Sequence, residues 1–236
     1  IQAAVRRSVA GEEKVAVAFS GGVDSSVVAR CAAAETRLVA CTAHADGAWD
    51  SLRARKAADA LGVDLVTTRL TPETVERELV GVDLPFETTL MDRSLWCLYS
   101  VVSRSASEAG ARVILLGQLA DELFGGYAKY SAVMAKEGAD AATAMMEADL
   151  EGYFSRGRVR DMRACSRWVE PRLPFEQLVG YAATIQTSLK LTDGVRKAVL
   201  RRAAVELGVP EWIACEPKKA AQYSSGIQKL VAKAPF

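Results

Sequence analysis

The sequence has very little histidine and no paired-cysteine motif, and both shortages limit the chemistry open to it. His44 is the one histidine in 236 residues, which excludes a zinc site built from several histidines. A Ser-His-Asp arrangement would have to use that same residue. The five cysteines are widely spaced, without a C-x-x-C pair, which argues against a disulfide framework. We therefore expect a reduced, cytoplasmic location.

An excess of one charge and a long apolar run are also missing. Lys and Arg number 30 and Asp and Glu 29, so the net charge of +1 indicates no overall preference for nucleic acid or membrane. No apolar run approaches the ~18 residues of a membrane-spanning helix. The first residues lack the apolar core of a signal peptide. We expect no membrane contact.

The charges that are present are unevenly distributed. Residues 1–149 carry 15 basic and 21 acidic side chains, whereas residues 150–236 carry 15 basic and 8 acidic. Much of the basic excess is an arginine-rich stretch, namely Arg156, Arg158, Arg160, Arg163, Arg167 and Arg172. Two interpretations stay open for this stretch: a solvated helix face, or a surface for an anionic substrate or partner.

Short apolar runs alternate with helical patterns in the first half of the chain. Four runs have the composition of buried parallel strands: 15–19, 37–43, 63–70 and 112–117. Between the third and fourth runs, Thr71 and Pro72 form a typical helix start. Strands that alternate with helices predict an α/β fold, a doubly wound parallel sheet covered on both faces.

After about residue 126 the strand signals stop. The helical stretches that follow are 126–157, 174–186, 193–207 and 224–234. We therefore expect a sheet-containing part over 1–126 and a helical part over 127–236. No flexible linker separates them, so the two parts are expected to share a core.

The segment after the first predicted strand is Ser20-Gly21-Gly22-Val23-Asp24-Ser25-Ser26. Two adjacent glycines let the backbone turn tightly and approach a ligand. The helix beginning near Asp24 directs N–H groups and a positive dipole end into that turn, and the serine hydroxyls add donors. This arrangement predicts an anion site. Asp24 would oppose a phosphate unless a cation bridges them, which Mg²⁺ does with one or two carboxylates and phosphate oxygens.

This glycine turn resembles the S-G-G-x-D-S loop of the ATP pyrophosphatase (PP-loop) superfamily. The resemblance implies a loop that binds the pyrophosphate end of ATP. It also implies an enzyme that splits ATP to AMP and pyrophosphate while adenylating a substrate oxygen. The fold it implies is adenine nucleotide alpha hydrolase-like.

A second segment narrows the family. The run from Gly117 to Tyr127, GQLADELFGGY, is similar to the G-E-G-x-D-E-L-F-G-G-Y stretch in the synthetase domain of asparagine synthetases. Further segments resemble that family's E-x-R-x-P-F, K-x-x-L-R and P-K-Q-A: Glu170 to Phe175, Lys197 to Arg201, and Pro217 to Ala220 followed by Ser225-Gly226. They occur in the family's order and extend over nearly the whole chain.

The resemblance implies a set of site residues. It assigns the ATP phosphates to Ser20, Gly21, Gly22, Asp24 and Ser25, and Mg²⁺ to Asp24 and Asp121. It places adenine near Ala18, Thr42, Leu116 and Gly117. It makes Lys218 the lysine that neutralises the phosphates during adenylation, a role that suits charge developing on the α-phosphate and the leaving pyrophosphate.

Three departures from the family bear on the reaction. Gln118 stands where the amide-forming enzymes typically carry glutamate, and an amide can orient a substrate but is not a general base. The sequence also contains no glutaminase domain, so ammonia would be free or come from a separate protein. Glu216 stands where the family often has arginine before P-K, which removes a positive charge near the phosphates.

Three hypotheses follow for function. The first is an adenylating ligase that activates a small-molecule acyl substrate for attack by ammonia or an amine; an internal amine would give a cyclising synthetase. The second changes the nucleophile to sulfur, with Cys165 as the thiol and RNA or a small molecule as acceptor. The third is a nucleotide-binding subunit without enzymatic activity. An oligomer of identical chains is compatible with all three.

Overall fold

A computed structural model describes residues 1–48, 50–216 and 221–234. The four strands predicted from the sequence correspond to the first four strands of the structure. The strands are β1 (Lys14–Ala18), β2 (Arg37–His44), β3 (Asp64–Arg69), β4 (Val113–Leu115), β5 (Glu170–Arg172), β6 (Leu191–Thr192) and β7 (Val195–Arg196).

Five strands form one parallel sheet in the order β3-β2-β1-β4-β5. From the central β1 the chain builds outward through β2 to β3, and then returns to the other side of β1 for β4 and β5. The direction of winding therefore reverses between β1 and β4. In open sheets of this kind, ligands bind beyond the carboxyl ends of the strands at that reversal.

Helices cover both faces of this sheet. They are α1 (Gln2–Val9), α2 (Val23–Ala33), α3 (Asp50–Leu61), α4 (Pro72–Val80), α5 (Leu90–Glu108), α6 (Ala120–Phe124), α7 (Ala128–Glu137), α8 (Ala139–Gly152), α9 (Arg158–Ser166), α10 (Val179–Ala183), α11 (Thr187–Lys190), α12 (Ala198–Glu206), α13 (Glu211–Cys215), α14 (Ala221–Ser224) and α15 (Ile227–Val231). A π-helical turn (Tyr153–Gly157) joins α8 to α9, and a 3₁₀ turn (Pro174–Leu178) precedes α10.

Two apolar layers result, one on each face. Successive strand side chains point to opposite faces, so Val15 and Val17 of β1 pack under α1, α2, α3, α12 and α13. Ala16 faces the other layer, which α4, α5, α9 and α15 complete. Thr71 caps α4 as predicted, its side chain accepting a hydrogen bond from the Thr74 N–H. The doubly wound α/β fold is confirmed.

The second half differs from the prediction. β5 joins the sheet beside β4, so strands do not stop at residue 126; three residues that include Pro171 are too short to give a periodic signal. The helix predicted over 126–157 is interrupted at Gly138, whose φ of +93° ends α7 before α8 begins. The helix predicted over 193–207 starts five residues late, at α12, because the β6–β7 hairpin takes its first residues.

The arginine-rich stretch is also part of the network of ion pairs that holds the fold together. All six arginines form ion pairs within the chain: Arg156 with Asp92, Arg158 with Glu176, Arg160 with Asp92 and Asp161, Arg163 with Asp83, Arg167 with Glu78, and Arg172 with Glu12 and Glu170. Most of these carboxylates belong to the acidic first half. The uneven charge distribution therefore serves contacts between the two halves.

Within the described ranges, none of the helices combines the length and apolar character needed to cross a bilayer.

Candidate active site

The turn after β1 is held tightly against the rest of the fold. Gly21 adopts φ +70°, and a Cβ there would lie 3.0 Å from the carbonyl oxygen of Arg53 on α3. The Ser25 hydroxyl accepts a hydrogen bond from the Ser20 N–H and donates one to the Gly22 carbonyl, both at 3.2 Å. The turn and the first residues of α2 therefore form a fixed unit, as the glycine pair predicts.

The segment after β4 touches this turn. A Cβ on Gly117 would lie 3.2 Å from the carbonyl carbon of Asp24 and from the Ser25 nitrogen, so a side chain here would require the backbone of the turn to shift by a few tenths of an ångström. Leu119 then adopts φ +75°, where the family stretch has glycine. Such a conformation costs on the order of 1 kcal/mol for a residue with a side chain. Burial of the leucine side chain in the core offsets that cost.

Lys197 connects the two segments, and sequence reasoning gave it no role. Its Nζ lies 2.6 Å from Asp24 Oδ1 and 2.7 Å from Asp121 Oδ1, and the residue is only 3% exposed. Lys197 adopts φ +58° immediately before α12, after the β6–β7 hairpin. The predicted meeting of the two aspartates at the sheet edge is therefore found, with an ammonium group between them. Its position in the K-x-x-L-R segment was the available signal.

Gly126 makes room for this cluster. A Cβ at Gly126 would lie 1.8 Å from Asp121 Oδ1 and 2.4 Å from Lys197 Cε. Its N–H donates to the Asp121 carbonyl, and its own carbonyl accepts from Arg196. The Gly-Gly pair after Phe124 therefore has a steric reason at its second position: any side chain would displace the aspartate or the lysine.

Three cavities surround the cluster. The first, of about 80 Å³, lies at the end of β1 and is lined by Ala18, Ser20, Asp24, Ser25, Thr42, Gly117 and Gln118 among others. The second is much larger, about 1070 Å³, and is lined by residues of α5, α8 and α9. Tyr99, Gln118 and Ala221 line both. A third cavity of about 140 Å³ lies beside Asp121 and Lys197, and Arg196, Arg201 and Glu216 are among the residues that line it.

A buried polar network supports the junction between the first two cavities. Asp161 accepts hydrogen bonds from Gln118 Nε2 at 2.7 Å, from Arg160 Nε at 2.8 Å and from the Tyr153 hydroxyl at 3.1 Å. Arg160 also binds Asp92, at 3.1 Å. Burial raises the pKa of Tyr153 well above its ordinary value, with the Asp161 charge adding to it, so that hydroxyl stays a donor. No local pattern in the sequence pointed to Asp161.

Glu122 follows Asp121 on α6 and is almost completely buried. Burial raises the pKa of its carboxyl, and the neighbouring charge of Asp121 adds to that, although a hydrogen bond from Tyr127 opposes both. The Tyr127 hydroxyl donates to Glu122 Oε1 at 2.6 Å. The raised pKa limits the negative charge that accumulates beside the aspartates.

The structure brings most of the predicted site residues together, with exceptions. Leu116 lies in the core with no exposed surface and is not among the residues that line the small cavity. Lys218 lies outside the described residues. Ser26 is completely buried and lines neither large nor small cavity. Cys165 is a core residue whose burial raises its pKa to about 12, so it does not supply an activated thiol.

Comparison with known proteins gives this site its context. The family profile of asparagine synthase matches residues 1–169 and 135–234. The chain belongs to the asparagine synthase family. A Methanocaldococcus jannaschii protein named "Putative asparagine synthetase (glutamine-hydrolyzing) 1" is 29% identical over 97% of this chain and 49% of its own length. "Asparagine synthetase domain-containing protein 1" of Bos taurus is 32% identical over 60% of this chain and 25% of its own length.

The chain thus spans at most about half the length of these curated relatives. Among solved structures, NMN synthetase from Francisella tularensis superposes with a TM-score of 0.52 and 14% identity, covering 100% of this chain and 85% of that one. That likeness concerns the fold alone, and it agrees with the fold that the glycine turn implied.

The donor set suits a divalent cation bound together with phosphate. Asp24 and Asp121 place carboxylate oxygens on either side of the Lys197 ammonium group. Mg²⁺ typically takes one or two carboxylates and completes its shell with phosphate oxygens and water. Within the described ranges, no group of three or more acidic, cysteine or histidine side chains forms a metal cage. The site therefore fits an ion that arrives with its other ligands.

Proposed function

We propose that this chain is an ATP-dependent ligase that forms AMP and pyrophosphate. A carboxylate or carbonyl oxygen of an acyl substrate attacks the α-phosphorus of ATP, and an amine or ammonia then displaces AMP. The observation that carries this proposal is the Asp24–Lys197–Asp121 cluster at the reversal of the sheet, beside a glycine turn built for phosphate.

The chain's own groups divide the work in this reaction. The N–H groups of the turn and the hydroxyls of Ser20 and Ser25 bind the phosphates. Asp24 and Asp121 would hold Mg²⁺, which would neutralise the charge of the phosphates and help to orient them. Lys197 offers a buried cation to the charge that develops on the leaving pyrophosphate. The third cavity lies beside it, and its Arg196 and Arg201 could hold pyrophosphate after cleavage.

The acyl substrate belongs in the large cavity. At about 1070 Å³ this space matches the upper end of small-molecule pockets, roughly 300–1,000 Å³. A free amino acid such as aspartate would leave most of it empty. The volume favours a larger acyl substrate, and it is compatible with a cyclising reaction in which acyl group and amine belong to one molecule.

Sulfur transfer has less support, because Cys165 lies in the core rather than at a cavity wall. The choice between a ligase and a nucleotide-binding subunit rests on turnover. Exchange of radiolabelled pyrophosphate into ATP, measured across a panel of amino acids, peptides and other carboxylates, tests the adenylation step. The same panel with ammonia or hydroxylamine tests the second step.

Matched variants make this test specific. We expect Asp24→Asn and Lys197→Met to reduce exchange by on the order of 100-fold or more, because each removes a group that faces the phosphates. Asp140→Asn, an exposed aspartate on α8, is the control that should exchange like the parent. Tight ATP binding without exchange against any acceptor would instead favour the subunit hypothesis.

A further inference from the structure

Asp161 fixes which way Gln118 faces. Asp161 is 0% exposed, and its carboxylate has only acceptor atoms. The amide group of Gln118, 2.7 Å away, must therefore point its NH₂ at Asp161. The carbonyl oxygen of Gln118 is thereby turned away from Asp161. Because Gln118 lines both the small and the large cavity, the carbonyl oxygen is the atom it can offer at their junction.

A further carboxylate beside Asp161 would be electrostatically unfavourable. Asp161 and Asp92 share Arg160 between them, and Arg156 adds a second contact to Asp92 at 2.9 Å. Two buried carboxylates are thus matched by two guanidinium groups within the described network. A glutamate at 118 would place a third carboxylate within hydrogen-bonding distance of Asp161, where like charges in a buried site cannot both ionise without a large cost.

We propose that Asp161 is a positioning residue that requires a neutral hydrogen-bond donor at position 118. It thereby sets the chemistry of the ligase where the small and the large cavity meet. This deepens the proposed function and rests on it. Gln118 then offers an uncharged oxygen that accepts a hydrogen bond from an N–H or O–H of the incoming nucleophile. A charged side chain there would instead hold the nucleophile as an ammonium ion or remove its proton.

A consequence is that glutamate at 118 needs a second change. The single substitution Gln118→Glu places two carboxylates that repel each other side by side. Combining Gln118→Glu with Asp161→Asn leaves one carboxylate and one amide, with their positions exchanged. The two positions should therefore behave as a coupled pair, although 43 residues separate them in sequence.

The test is a four-protein cycle of the parent chain, Gln118→Glu, Asp161→Asn and the double variant, with Gln186→Glu as an exposed control for added negative charge. Thermal unfolding is followed from pH 5.5 to 8.5. We expect Gln118→Glu to lower Tm by on the order of 5 °C at pH 8, with less loss at pH 5.5 where one acid can stay protonated. The double variant should recover most of that loss, and Gln186→Glu should follow the parent.

Two further measurements separate this proposal from the proposed function. Binding of a non-hydrolysable ATP analogue with Mg²⁺ is measured in all four proteins, and its absence in all four, the parent included, would sink the ligase proposal while leaving the stability cycle readable. With an accepted substrate, the double variant should gain an ionisation in the pH profile of kcat/KM that the parent lacks. Equal stability of Gln118→Glu and the parent at every pH, or a double variant no better than the single one, would overturn the role of Asp161.

Discussion

Lys197 places its side-chain nitrogen where almost none of its surface reaches solvent. Two carboxylates compensate the desolvation of its ammonium group, and each of them depends on it in turn. Replacement by methionine would leave Asp24 and Asp121 facing each other without that cation. We expect Lys197→Met to lower the free energy of unfolding by about 3 kcal/mol in the absence of metal, measured by urea denaturation.

Magnesium should distinguish this variant from an ordinary destabilised protein. Since the ion can take the place of the ammonium group between the carboxylates, millimolar Mg²⁺ should restore part of the lost stability to Lys197→Met and add little to the parent. Lys190→Met, a change at another buried lysine, is the control, and its stability should not respond to Mg²⁺. A variant as stable as the parent without metal would contradict this account.

Gly126 gives a steric prediction at the same site. A methyl group at this position would overlap Asp121 Oδ1, so Gly126→Ala should disturb the cluster and cost about 3 kcal/mol of stability, as overpacking does at its upper range. Gly152→Ala is the matched control, since a Cβ there meets nothing within 4 Å and alanine favours the helix. Thermal unfolding of the two variants should therefore shift in opposite directions.

Among the elements, α5 has the most strongly specified beginning. Thr89 and Asp92 form a capping box, and Asp92 also accepts hydrogen bonds from Arg156 in the π-helical turn and from Arg160 on α9. Burial alone would raise the pKa of Asp92, but these hydrogen bonds outweigh it and leave the pKa below its usual value. One residue thus starts the helix and ties it to α9.

The lowered pKa makes this contribution depend on pH. The ionised carboxylate stabilises the fold above the unfolded pKa of about 3.9, and the contribution is lost as pH falls through the lower folded pKa. We expect Asp92→Asn to cost about 3 kcal/mol at pH 7 and much less near pH 2.5, measured by urea denaturation. Asp83→Asn, which breaks an exposed pair with Arg163, should cost at most about 1 kcal/mol at any pH.

How much of each element could be predicted depends on whether its cause is local. The Thr71 cap and the apolar runs of β1 and β2 are readable because the signal lies in neighbouring residues. β5 is not, because its three residues become a strand only by pairing with β4, more than fifty positions earlier. The break at Gly138 was readable in principle, since glycine is the residue that commonly ends a helix.

At the scale of the whole molecule, Arg172 joins the beginning of the chain to the edge of the sheet. Its guanidinium donates to the Ser8 carbonyl at 2.8 Å, to Glu12 at 2.9 Å and to Glu170 at 2.7 Å. Arg172 therefore forms ion pairs with both Glu170 and Glu12. Three acceptors in different directions suit the planar fork of arginine and not a lysine.

We expect Arg172→Met to lower the free energy of unfolding by about 2 kcal/mol and to make α1 more accessible to limited proteolysis, because charge-assisted hydrogen bonds between α1 and β5 are lost. Arg172→Lys should recover only part of this. Arg37→Met is the control, since its 3.8 Å pair with Glu13 is solvent-exposed and should contribute little. Unchanged proteolysis in Arg172→Met would show that α1 is held by its apolar face alone.

The site itself was predictable where it follows from chain topology. Two polar turns after neighbouring parallel strands must meet at one edge, so Asp24 and Asp121 could be paired from sequence. Lys197 and Asp161 could not, because each reaches the site from a helical segment whose position depends on packing of the whole chain. Leu116 follows β4 directly, and its side chain packs in the apolar layer on one face of the sheet.

The ammonium group between the two aspartates has a consequence for how the ion is loaded. A tethered cation is always present at its site, whereas a dissolved one must compete with it from outside. Free Mg²⁺ would therefore bind weakly at this site, whereas a nucleotide that already carries the ion would bind more tightly. Under the proposed function, loading of the metal would be coupled to loading of the nucleotide, and we expect the protein to fold in the presence of a chelator.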